Sequence, residues 1–190
     1  MFRHPSFLGI GVDVTYFSNS VDDLILWQTD VNYFSTPQNV GRASIHGFET
    51  KVSVSMWDDV FGVGWNSTYL DARNKTEGAG QFDKQLPYRP TYVHNFSAKV
   101  EFFGMYVLAR TSFSGKRYTN AENTQSLDPH HISGIVIGYG LPSEPSWLAM
   151  KLEINNLENV DYQVIDGYPM PGRELRFSLG VQFSHDTDVN

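Results

Sequence analysis

Hydrophobic residues recur at every second position through most of the chain. Between residues 7 and 17, Leu8, Ile10, Val12, Val14 and Tyr16 fall on one face, and Gly9, Gly11, Asp13 and Thr15 fall on the other. That is the period of an extended strand, not of a helix. The same pattern returns at 23–34, 40–57, 60–73, 90–103, 105–118, 131–141 and 147–156. It closes with Leu175, Phe177, Leu179, Val181 and Phe183 alternating with Arg176, Ser178, Gly180 and Gln182. The periodicity predicts about nine strands and an all-β chain.

The connections alternate in length. Short ones are expected at 18–22, 58–59, 103–104 and 142–146, and longer polar ones at 29–39, 74–89, 119–129 and 158–172. An antiparallel up-and-down meander puts every short turn at one end and every long loop at the other, which is how outer-membrane barrels are built. Aromatic residues divide in the same way. Tyr16, Phe17, Trp57, Phe61, Phe102, Phe103, Tyr106, Trp147 and Phe183 are expected beside the short turns. Tyr33, Phe34, Tyr69, Tyr88, Tyr92, Phe113 and Tyr118 are expected towards the long loops. Two such belts suit the two membrane interfaces. Mid-strand Lys51, Lys99, Glu101, Arg110, Lys151, Glu153 and Arg176 suit a hydrated or plugged lumen. On a soluble sheet they would be the solvated face, and alternation by itself fits both cases.

Composition narrows the function classes. The 190 residues hold no cysteine, which removes disulfides and thiolate metal sites. A net charge of -7 with 14 scattered Lys and Arg argues against nucleic acid as a partner. No apolar run reaches the roughly 18 residues of a spanning helix. The opening FRHPSFLGIGVDVTYF already alternates, so no signal peptide is expected within the chain. No catalytic constellation, phosphate loop, cofactor or metal site is expected. In Asp128-Pro129-His130-His131 the two imidazoles would point to opposite faces of a strand. His46 and His94 are read as structural or interfacial.

Five segments, in order, carry a resemblance: NVGRASIHGFE at 39–49, YLDARN at 69–74, LPYRPTYVHN at 86–95, GKRY at 115–118 and INNLENVDYQVIDGYPMPGRELRFSLGVQF at 154–183. Gly41 and Gly47 permit a bulge or a close backbone approach. Pro87 and Pro90 cannot donate to a ladder and mark a loop entering a strand. Asn155, Asn156 and Asn159 supply turn chemistry. Together the segments resemble the C-terminal part of the β-barrel of TonB-dependent outer-membrane receptors, nearest the vitamin B12 and ferric-siderophore branch.

The resemblance implies an antiparallel transmembrane barrel segment, about nine strands of a roughly 22-stranded barrel, with short periplasmic turns and long extracellular loops. Residues 1–185 would be a partial barrel domain and 186–190 a polar tail, with the plug domain and TonB box absent. Strand parity then predicts that the chain begins in an external loop. Implied partners are the rest of the barrel and its plug, outer-membrane lipid and lipopolysaccharide, the TonB complex through the missing plug, and a metal chelate or cobalamin. Candidate ligand residues on the loops are Asp71, Arg73, Arg89, Tyr118, Asn120, Asn123, Tyr162, Tyr168 and Arg173, because rigid aromatics and polar forks suit a large polar ligand. A second reading is a small self-contained barrel, in the outer membrane or soluble, that binds ligands or surfaces through its loops.

Overall fold

The computed structural model describes residues 8–29, 34–39, 41–77, 80–140 and 148–181. Its strands are β1 (Leu8–Asp22), β2 (Ile25–Thr29), β3 (Ser35–Asn39), β4 (Arg42–Met56), β5 (Phe61–Asn74), β6 (Tyr92–Phe102) and β7 (Met105–Ser114). They continue with β8 (Arg117–Tyr118), β9 (Ser126–Leu127), β10 (His130–Gly140), β11 (Leu148–Asn155), β12 (Gln163–Ile165), β13 (Tyr168–Pro169) and β14 (Glu174–Val181). One antiparallel sheet runs β1-β4-β5-β6-β7-β10-β11-β14, and three small hairpins, β2-β3, β8-β9 and β12-β13, stand in the long loops. Neighbours in the sheet are neighbours in sequence once the hairpins are set aside. That is the up-and-down meander the alternation predicts.

One strand is placed differently from the expectation. The segment 23–34 does not enter the sheet: β2 pairs with β3, from Ile25 opposite Asn39 to Thr29 opposite Ser35. The short turn expected at 18–22 is strand, because β1 stays in register with β4 over its whole length, from Leu8 opposite Met56 to Asp22 opposite Arg42. Fifteen continuous ladder positions outweigh the weak turn preference of Ser18, Asn19 and Ser20, and the break falls at Asp23, whose φ is 55°. The described sheet therefore has eight strands. β1 enters it at the short-turn end, not from an external loop.

The short turns owe their tightness to positive φ. Phe103 (49°) and Gly104 (74°) close a two-residue hairpin between Phe102 and Met105, whose left-handed backbone matches the strand twist. Trp57, Asp58 and Asp59 are all left-handed in the β4–β5 turn. The turn expected at 142–146, and Tyr33, Trp147, Phe183 and the tail, lie outside the described residues.

Register assigns the two faces. One carries rows such as Ile10, Val54, Val63, Ala98, Ala109, Ile135, Ile154 and Leu175 in eight successive strands. Among the described residues nothing packs against this face, and Ile10 and Leu175 are 65% and 71% exposed. Burying such a side chain contributes roughly 1.5–3 kcal/mol, so a water-facing sheet would leave a whole apolar layer unused. Lipid is the solvent that makes the arrangement stable. Near the long-loop end this outer face carries a row of rings, Tyr16, Phe48, Tyr69 and Tyr92. Tyr16 thus belongs to the long-loop belt, not to the short-turn belt, because β1 runs further than expected.

The other face is polar and holds every mid-strand charge named from the sequence. Phe17 and Tyr106, expected in the belts, lie on this inner face: Phe17 packs over Gly47, and Tyr106 lies across Gly138. The buried hydrophobic residues described are few, with Ala43, Ala72 and Leu86 as a small cluster joined by Leu24, Ile45 and Leu70. It sits where the loop after β5 folds back, not between two layers.

Candidate functional site

Two regions carry organised polar chemistry: the inner wall across β7, β10 and β11, and the loops above it. On the wall, Arg110 of β7 reaches past β10 to β11. Its Nη2 bonds Asn155 Oδ1 at 2.7 Å and pairs with Glu153. Gly134 makes this possible, since it stands between Arg110 and Asn155 in the register and has no side chain to block the path. Lys151 Nζ adds a second contact to Glu153 at 3.3 Å, and Arg176 is its ladder partner on β14. Lys99 pairs with Glu101 at 2.5 Å and lies 5.8 Å from the Tyr106 ring centre. Beside Arg110 a groove of about 280 Å³ is lined by Asn66, Asn95, Ser97, Ser112 and Asn155. Such a wall can offer many hydrogen bonds, and among its described residues no nucleophile stands with a paired base.

At the long-loop end the loops are tied together. The loop between β5 and β6 continues the ladder beside β5 through Leu86 N to Ala72 O at 2.8 Å and Asn74 N to Lys84 O at 2.9 Å. Asn123, from the β7–β10 loop, clasps it: Oδ1 accepts from Gln85 N at 2.8 Å and Nδ2 donates to Gln85 O at 2.9 Å. The Tyr88 N–H donates to Tyr118 O at 2.7 Å. Lys75 sits 2.5 Å from Asp83 and holds that carboxyl below its ordinary pKa.

Arg117 links the same loop to the one between β11 and β14. Its Nε donates to Val164 O at 3.4 Å, its Nη1 to Ser114 Oγ at 3.3 Å, and its Nη2 to the Gln163 carbonyl. Burial pulls the Arg117 pKa down and pushes the Tyr88 hydroxyl up. Inside the β11–β14 loop, Asn156 bonds Val160 N and O, both at 2.8 Å, and Asn159 Oδ1 accepts from Arg173 N at 2.8 Å. Both asparagines have positive φ, the turn role their sequence position suggests.

The candidate ligand residues fall into three groups. Asp71 and Arg73 are brought together at 2.7 Å, but on the outer face above the ring row, with His46 3.6 Å from Asp71 and Asp83 3.7 Å from Arg73. Asn120 and Asn123 brace their own loop, Asn120 through Thr124 and Gln125, and Tyr118 is held through its backbone. Tyr162 packs tilted against His130 with ring centres 4.7 Å apart, while Arg89, Tyr168 and Arg173 present exposed side chains. His131 faces outward opposite Phe113, and His130 lies on the inner face. His94 is stacked between Trp65, Tyr92 and Phe113 on the outer face. The sequence reading passed over Arg117, though it lies within the GKRY segment.

A family model described as TonB dependent receptor-like, beta-barrel, matches residues 2–157. The chain belongs to this family. Solved structures agree on the fold. The ferric citrate transporter FecA, unliganded, superposes with a TM-score of 0.74 at 14% identity, over 92% of this chain and 29% of that one. The copper transporter OprC gives 0.73 at 16%, over 92% and 29%. The siderophore receptor PiuA from Acinetobacter baumannii gives 0.69 at 19%, over 90% and 26%. The chain thus spans less than a third of each of these receptors. It matches part of a TonB-dependent receptor barrel, and barrels of this family lie in the outer membrane.

Proposed function

We propose that the chain is the C-terminal portion of the barrel of a receptor that captures a ferric siderophore or cobalamin and imports it past a plug by TonB-dependent gating. The observation that carries this reading is the division of faces. An uncovered apolar surface turned to lipid backs a wall of lysine, arginine and glutamate, and such a wall suits a barrel wide enough to hold a plug. β1 and β14 are the edges of the sheet and do not pair with each other, and unpaired edges are not tolerated in hydrocarbon. The missing neighbours are therefore the remaining strands of the barrel. A plug with its TonB box inside, and lipopolysaccharide outside, complete the partners, and the protein performs no covalent chemistry.

Ferric-chelate receptors and a copper transporter among the similar structures support a metal or metal chelate as cargo. The test is uptake of radiolabelled ferric chelates and of cobalamin by cells carrying the complete receptor gene, with and without an active TonB system. TonB-dependent accumulation of one ligand class is expected. If residues 1–190 alone refold in detergent as a closed, monomeric, heat-modifiable barrel, the partial-barrel reading fails.

A further inference from the structure

Arg117 is 3% exposed, yet it forms no carboxylate ion pair among the described residues. A buried cation without a counterion is costly unless its donors are satisfied. Here they are met largely by main-chain carbonyls of another loop, Gln163 and Val164. Those carbonyls belong to β12, whose partner β13 begins at Tyr168. Tyr168 is 70% exposed at that tip, and Tyr162, just before β12, packs against His130. The guanidinium therefore joins the β7–β10 loop to the segment 162–169, which carries two of the ring side chains offered to a ligand.

We propose that Arg117 is a positioning residue: it locks the β12–β13 hairpin to the neighbouring loop, so that Tyr162 and Tyr168 meet the ligand pre-ordered. The proposal rests on the reading that these loops capture the cargo. Its chemistry is particular to arginine, because one planar fork reaches Val164, Gln163 and Ser114 at once. A lysine has a single nitrogen and cannot span them. Pre-ordering a capture loop raises affinity by removing the entropy of fixing it during binding.

The test uses the complete receptor in detergent, with Arg117→Met and, in case that variant fails to assemble, Arg117→Lys. Amide hydrogen exchange is followed by peptide, and affinity is measured for the ferric chelate that the receptor imports. Loss of charge-assisted bonds predicts about tenfold faster exchange over residues 160–170 in either variant, with sheet strands unchanged. Chelate affinity is expected to fall about tenfold with the barrel still heat-modifiable. Unchanged exchange at 160–170 overturns the lock. Faster exchange with unchanged affinity keeps the lock and overturns the capture role of these loops.

Discussion

A methyl group at position 47 would overlap the Tyr69 carbonyl oxygen and come 2.9 Å from Phe17 Cζ. Gly47 is therefore required by close approach and not by backbone conformation. Gly47→Ala should destabilise the assembled receptor by about 1–3 kcal/mol, as overpacking does, seen as a lower temperature of heat-modification on gels. An unchanged temperature would mean that the Tyr69 carbonyl and Phe17 do not close over position 47. The same scale shows how two of the candidate ligand residues are held. Asn120 and Asn123 look like adaptable ligand contacts in sequence, but their amides are spent on neighbouring backbone and hydroxyl groups.

At the level of elements, the loops behave as a connected layer and not as separate excursions. The Lys75–Asp83 pair is one of its exposed ties. Because Asp83 titrates below the ordinary value of 3.8 in the folded state, its contribution is complete above that value and disappears as pH falls through the lower, folded one. Amide protection around 75–85 should thus be flat from neutral pH down to about pH 5 and fall only in strong acid. A loss between pH 7 and 5 would show that another group holds the loop. Strand elements with clean alternation were legible in the sequence, and so were the turns at 58–59 and 103–104. The hairpin of β2 and β3 was not, since a local pair and a sheet strand share the same composition and differ only in what lies beside them.

For the whole molecule, the decisive quantity is which face meets lipid. Val63 lies on the apolar face near the short-turn end, and Asn66 on the inner wall of the same strand. In the complete receptor, Val63→Arg should cost about 1–2 kcal/mol of barrel stability, between the values for interface and midplane, while Asn66→Arg should cost far less. Urea titration of the receptor folded in lipid vesicles measures both, and equal costs would remove the assignment of faces.

The sequence by itself determined the strand period, the meander, the gathering of the mid-strand charges on one face and the resemblance to the family, because alternation and turn chemistry are local properties of a chain. Only the tertiary structure decided that β1 runs to Asp22, that Asp71 and Arg73 face outward, and that Arg117 is buried between loops. Those depend on register and on contacts between residues tens of positions apart. A one-residue change in pairing reverses every face, and no local pattern records which partner a guanidinium will find.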